Sequence, residues 1–343
     1  MPRWPGGLIR KTAVTPTGPD QTGTASGVWT LAEAAYWRKQ GMWPIAGLIP
    51  YGIFGGGFTN TQVNVIEYVT ISSLGNATDF GDLTQATYDL AGCTSPTRGV
   101  FGGGTISGGG QTNVISYITI ASPGNATDFG DLTAARGKLA SSSSSTRGLF
   151  AGGFTGSTLN TIDYITIASV GNATDFGDLT QVQRQFGSCA SSISAFFGGG
   201  TDNSDAYISA ISSVTIASTG NAVSFGTLLV GTQNITACSS ATRGVFAGGL
   251  VFDNTQVNTI QYMTLVSSGA LADFGDLSAT TDKSIASCSS GIRGLFAGVG
   301  ATNTISYITI ATTGNTSDFG DLTQSKTDLA GLSNANPAVQ VSQ

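Results

Sequence analysis

Asp175-Phe176-Gly177 is the stretch of this chain that reads first as chemistry, because the same triplet holds magnesium in protein kinases. No kinase lysine strand and no catalytic-loop signature accompanies it. Asp-Phe-Gly also occurs five times, which suits a repeated strand rather than a catalytic metal ligand. Histidine is absent from all 343 residues, which removes the usual general base, the Ser-His-Asp triad and most zinc and copper sites. Cys93, Cys189, Cys238 and Cys288 fall at one repeated position; they read as small buried residues in a chain made in a reducing compartment, not as disulfides or a metal cluster. The run Gly102–Gly110 has the glycine content of a phosphate loop but no Gly-Lys-Ser/Thr and no following helix. No catalytic residue, metal site or cofactor is assigned, and the expectation is a protein that is not an enzyme.

Composition narrows the classes further. There are 49 glycines, 10% charged residues and 40% hydrophobic residues, so a globular β protein with a neutral polar surface is expected. The net charge of −6, with only 14 Lys and Arg and no basic run, speaks against a nucleic-acid surface. No apolar stretch approaches the roughly 20 residues that span a bilayer, so membrane insertion is not expected. The first residues lack an apolar signal core, so synthesis in the cytoplasm without Sec-type export is expected.

The elements that must position any site come from an internal repeat. Phe80, Phe129, Phe176, Phe225, Phe274 and Phe319 mark one series, and Phe54, Phe101, Phe150, Phe197, Phe246 and Phe296 another. Their period of roughly 45–50 residues suits propeller blades or a solenoid. One unit contains four β-like runs: a (Ser284–Ser290), b (Arg293–Val299), c (Thr304–Ala311) and d (Thr316–Thr323). Gly-Asn pairs between c and d, such as Gly171-Asn172, make tight turns, which also accounts for four of the five Asn-x-Ser/Thr sequons. The segment Leu329–Leu332 supplies the a strand that the first unit lacks. The expected fold is therefore an all-β, six-bladed β-propeller of four-stranded antiparallel blades, closed by the C-terminal strand. Residues 48–343 form the propeller and residues 1–47 a separate N-terminal segment.

Within a unit, the Phe of strand d is expected to pack between blades and its Gly to admit a neighbour. The recurring Arg98, Arg147, Arg243 and Arg293 are expected to pair with the second Asp of strand d (Asp131, Asp178, Asp276, Asp321) in the same blade, since the fourth unit loses both, at Ser194 and Thr227.

The a–b and c–d turns are nearly uniform across the copies, whereas the b–c and d–a loops differ in length or chemistry. The variable loops share one face, and a rigid scaffold carrying divergent loops is a common way to build a binding surface. Their Asn, Gln, Thr and Ser suit hydroxyl-rich ligands such as glycans. Tyr88, Arg136, Arg184, Tyr207, Phe252 and Asp253 are the candidate contacts; unconstrained drift of exposed loops is the alternative.

The N-terminal segment differs in kind. Trp4, Trp29, Trp37 and Trp43, all the tryptophans of the chain, lie there together with Tyr36. Thr30 and Glu33 form a capping box for a short helix from Leu31 to Gln40, ending at Gly41. Tryptophan anchors interfaces, so attachment or oligomerisation is expected, with packing against the propeller as the alternative.

Residues 5–44, through their Pro-Thr-Gly-Pro run, Ser-Gly-Val-Trp-Thr-Leu start and Gly-Met-Trp-Pro end, resemble an N-terminal segment of tail-fibre proteins of tailed bacteriophages, including cyanophages. The repeats look like the kelch-type propellers of some such fibres, with phenylalanine in place of the kelch tryptophan of strand d. The resemblance implies a virion protein, often trimeric, docked to baseplate or tail by its N-terminus and binding a host surface polysaccharide through its distal domain. It also implies release by lysis, without a signal peptide. The rivals are a purely structural virion protein and a propeller enzyme, either a glycan hydrolase or a kelch-type copper oxidase; the missing histidines count against the oxidase.

Overall fold

The computed structural model describes Thr30, Ala32, Glu33, Tyr36 and residues 49–339. Its strands form six sheets of four antiparallel strands, in sequential order in all but the first, whose inner strand is the last of the chain; the fourth sheet gains a short parallel strand, Gly269–Ala270. The third blade is typical, with strands Ala140–Ser143, Arg147–Ala151, Thr161–Thr166 and Thr174–Asp178. Ala330–Ser333 pairs antiparallel with Tyr51–Gly55, so the C-terminal strand is the inner strand of blade one. This is the six-bladed, C-terminally closed propeller that the repeat predicts.

Strand d shows why its motif repeats. Every c–d pairing carries a register shift, with Asp79 opposite Glu67 but Gly81 opposite Ile66 in blade one. The phenylalanine is therefore the extra residue of a β-bulge. The bulge turns Phe80 into a cluster with Ile53 and Ile66 of its own blade and Phe101 and Ile118 of the next. Six such clusters exist, one at each junction, so the core is a ring of inter-blade seams.

The glycine after the phenylalanine meets the next blade's Gly-Asn turn. A Cβ on Gly177 would lie 2.6 Å from the Gly220 carbonyl, and Gly81, Gly130, Gly226, Gly275 and Gly320 face the following turn in the same way. The turn asparagine accepts a hydrogen bond from the second Asp's backbone N–H, as from Asp178 to Asn221 Oδ1 at 3.0 Å. The four cysteines are free and buried, each against a strand-b glycine of the next blade, such as Cys93 beside Gly148. Burial pushes the Cys238 thiol up to about 12 and the other three up as well.

The expected Arg–Asp pairing is corrected. Arg98, Arg147, Arg243 and Arg293 stack on the strand-c tyrosine of their own blade, with Cζ 4.7, 4.5, 4.3 and 5.0 Å from the ring centres. Each donates from Nη1 to a carbonyl of the next blade, at Ile167, Ile216, Ile310 and Ile71, over 2.8–2.9 Å. Blade four loses the tyrosine too, at Ser213, opposite Phe196 and not far from Ser194. Blade one replaces the stack with an edge-on Tyr51–Tyr68 pair at 5.2 Å. The guanidinium serves as a rivet between blades and not as half of an ion pair.

Both ends of the ring lie on the uniform-turn face. Asn334 accepts from Tyr51 N–H at 2.9 Å and donates to the Ile49 carbonyl at 3.0 Å, clasping the point where the chain enters the propeller. The following turn, Pro337–Val339, enters the axial channel from this face with Ala338 and Val339 buried.

In the N-terminal segment the capping box is formed, with Thr30 N–H donating to Glu33 at 2.8 Å and Glu33 N–H to Thr30 Oγ1 at 3.2 Å. Ala32, Glu33 and Tyr36 are helical, and Tyr36 is exposed. The extent of the helix, Trp4, Trp29, Trp37 and Trp43, and the boundary at residues 47/48 lie outside the described residues.

Candidate functional site

The face opposite the chain's entry is built from two loop sets that knit together. The residue three before strand a forms an isolated β-bridge with the b–c loop of the same blade, as Tyr88 does with Thr105, Arg184 with Thr201 and Gln233 with Leu250. The d–a loop is also tied to the middle of strand c beneath it. Asp163 accepts from Thr133 N–H at 2.9 Å and Oγ–H at 2.7 Å, Glu67 from Thr323 N–H at 2.6 Å, and Gln261 from Leu229 N–H at 2.8 Å. The loops are thus held by buried polar side chains, which fixes what they display.

Arg136 is corrected by this arrangement. It is fully buried, 3.0 Å from Asp163, with further hydrogen bonds to the carbonyls of Phe150 and Thr161 at 3.1 and 3.3 Å. Burial pulls its pKa down and Asp163 holds it up. Lys326 occupies the same loop position before blade one and pairs at 2.5 Å with Glu67, also fully buried. Strand c carries an acid facing this loop only in blades one and three, at Glu67 and Asp163, and those are the two blades whose loop has a cation at the Arg136 position. That coincidence, visible on aligning the copies, is the signal that separates Arg136 from a surface arginine.

Four of the candidate contacts come together over blades three to five. Arg184 ion-pairs with Asp205, lies 4.9 Å over the Phe154 ring and donates to Thr158 Oγ1 at 3.2 Å. Tyr207 donates its hydroxyl to Asn254 at 2.8 Å, joining blade four to the tip of blade five. That tip ends an extended hairpin, Arg243–Val251 and Thr255–Thr264, which projects Phe252 with 73% of its surface exposed. Asp253 beside it takes a left-handed conformation, φ 64°, which an aspartate tolerates better than most residues. Leu229 and Val230, absent from the sequence-based set, extend the patch as exposed apolar residues of the neighbouring d–a loop. Gly231 ties that loop to Tyr207, since a Cβ there would lie 2.7 Å from the Tyr207 carbonyl.

Tyr88 sits apart, over blades one and two, tilted against Phe58 at 5.3 Å. Burial, then Asp89 and Asp328, raise its phenol pKa. The face therefore carries an aromatic and amide ridge on one side and a smaller aromatic pair on the other. An aromatic ring beside amides and carboxylates offers an apolar face for stacking together with polar groups that can fix a ligand's orientation.

Among the described residues no group of three or more His, Cys, Asp or Glu is arranged to hold a metal ion, and no helix is long and apolar enough to cross a membrane. No protein-family model matches the chain, and no curated protein matches it in sequence.

Proposed function

We propose that this chain is a receptor-binding virion protein, a tail fibre or adhesin whose variable propeller face binds a host surface polysaccharide without cleaving it. One observation carries the reading: the chain enters the ring at the uniform-turn face, where Asn334 clasps Ile49 and Tyr51, while Phe252, Tyr207 and Arg184 project from the opposite face. A module tethered on one face and displaying irregular loops on the other is polarised as an attachment protein must be. The likeness of residues 5–44 to tail-fibre segments supports docking to a baseplate or tail through Trp4, Trp29, Tyr36, Trp37 and Trp43, with a homotrimer as the assembled form.

The test is retention of purified full-length chain on immobilised surface polysaccharides from a panel of bacteria that includes cyanobacteria. At least one should retain it, and Phe252→Ala should weaken that retention about tenfold or more, as loss of an aromatic anchor does. The bound polysaccharide should keep its chain length. Retention by none of the panel would sink the reading, and shortened polysaccharide would replace the adhesin with a hydrolase.

A further inference from the structure

Near the axis the variable face dips into a cavity of about 120 Å³, which Asp89, Lys138, Gln185 and Ser284 help to line. These four, with Asn234 and Asp328, occupy one position in all six blades, two residues before strand a. The ring is held by its backbone: Asp89 N–H donates to Asp328 at 2.9 Å, Lys138 to Asp89 at 2.9 Å, Gln185 to Lys138 at 3.0 Å, Asn234 to Gln185 at 2.8 Å and Asp328 to Ser284 at 2.8 Å. Deeper in, the channel narrows to Gly92, Ser141, Ser188, Ala237, Ser287 and Gly331. Pro337–Val339 enters it from the far end. The result is a cup that opens towards the variable loops.

The backbone at this ring is unusual. Asp89, Lys138, Gln185, Asn234 and Asp328 all sit at φ between 54° and 59°, a conformation that L side chains rarely adopt. This glycine-rich chain places glycine at the left-handed position five residues after the start of strand b in all six blades, at Gly56, Gly103, Gly152, Gly199, Gly248 and Gly298. At the axial ring it places glycine in none. Lysine and glutamine gain nothing locally from left-handed backbone, so their side chains are kept there against a conformational preference, and such outliers gather at ligand sites.

From this geometry we infer that the axial cup is a binding pocket for one neutral, hydroxyl-rich unit, a free monosaccharide or the terminal sugar of a glycan. Asp89 and Asp328 are neighbours in the ring, and Lys138 and Lys283 both lie close enough to act on them, so charges of both signs meet there. A pocket that mixes donors and acceptors in this way, without a block of one sign, favours a neutral ligand. The Asp89 carboxylate accepts from sugar hydroxyls, and the Lys138 ammonium and Gln185 amide donate to them; the Asp328 carboxylate is already engaged by Ser284 N–H and Thr327 Oγ–H. The Asp89 carboxylate accepts no hydrogen bond from any described residue, so its acceptors are available to a ligand. Burial, then Asp328, pushes the Asp89 pKa up to about 7 while Lys138 and Lys283 pull it back, as expected of a carboxyl group short of donors. The pocket is separate from the outer ridge; it rests on the proposed polysaccharide binding only for the choice of sugars as probes.

The test titrates the full chain with free neutral monosaccharides (hexoses, 6-deoxyhexoses and N-acetylhexosamines) by ligand-observed NMR and calorimetry. At least one should bind. Gln185→Gly and Lys138→Gly should each weaken it about tenfold or more with Tm unchanged or raised, because glycine relieves the left-handed backbone. Phe252→Ala should leave this affinity unchanged. If no monosaccharide binds, or if binding survives both glycine variants, the axial pocket is refuted, even where the immobilised polysaccharide still retains the chain. A monosaccharide that binds axially while no polysaccharide is retained would uphold the pocket and refute the adhesin.

Discussion

Removing Arg136 leaves Asp163 buried without its cation, and a broken buried pair costs about 3–5 kcal/mol. Arg184, whose partner Asp205 is largely exposed, forms the kind of surface pair worth about 0–1 kcal/mol. Urea unfolding should therefore show Arg136→Met strongly destabilised and Arg184→Ala nearly unchanged, and equal losses would contradict the assignment. In the sequence both arginines stand in d–a loops of mixed polarity, and nothing local separates them. What separates them is the residue 27 positions on in Arg136's own blade, Asp163, which is legible only once the copies are aligned. Asp89 gives a second prediction at this scale. Its pKa is raised from an ordinary 3.8 to about 7, so the folded chain holds a proton that the unfolded chain has released. That contribution is complete below about pH 4 and is lost as pH rises through 7, with Asp328 raised in the same direction. Tm of the native chain should fall between about pH 4 and 7, and Asp89→Asn, neutral throughout, should flatten the fall. Parallel slopes in the two proteins would show that Asp89 titrates normally.

At the scale of the strand, Asp-Phe-Gly is a bulge motif: aspartate before it, phenylalanine turned into the seam, and a glycine at φ 139–148° where the next blade's turn arrives. Gly177→Ala would press a methyl against the Gly220 backbone, which has no side chain to move, and should cost about 3 kcal/mol through strain and forced separation of two blades. Gly108→Ala, with nothing within 4 Å, should cost only its backbone penalty of about 1–2 kcal/mol. Thermal unfolding of the two variants decides this, and a Gly177→Ala protein as stable as Gly108→Ala would mean the blades are not held that close. The repeat made the strand legible through its spacing. It did not make the bulge legible, because a bulge is a property of register between two strands. The misassigned arginine partner has the same origin: blade four loses arginine, aspartate and tyrosine together, at Ser194, Thr227 and Ser213, so that blade alone could not choose between partners. Blade one does not choose either, since it keeps both Asp82 and Tyr68 without the arginine and sets Tyr51 against Tyr68 instead.

For the whole molecule, closure by the C-terminal strand joins stability to function. Residues 329–339 supply the inner strand of blade one, the clasp at the chain's entry and the axial stopper, so one short segment holds the seam, fixes the tethered face and closes the cup. Closure was legible because five a strands preceded their own b strands and a sixth appeared only at the end of the chain. The stopper was not, because nothing in Asn-Ala-Asn-Pro-Ala-Val differs from an exposed tail until the channel it enters exists. Leu329, Leu332 and Val339 are 5%, 3% and 1% exposed. Burying three such side chains contributes roughly 5–9 kcal/mol at about 1.5–3 kcal/mol each, comparable with the entire net stability of a typical domain, about 5–15 kcal/mol. Deleting residues 329–343 also leaves Tyr51–Gly55 as an unpaired edge beside blade six, and an open edge of that kind recruits other chains. The truncated protein should therefore lose its cooperative melting transition at room temperature and elute as aggregate on size exclusion. Asn334→Ala, which removes only the clasp, should stay monodisperse with a lowered Tm. A truncated chain that melts like the native one would mean that the blades are stable as an open array, and the ring would then owe nothing to its last strand.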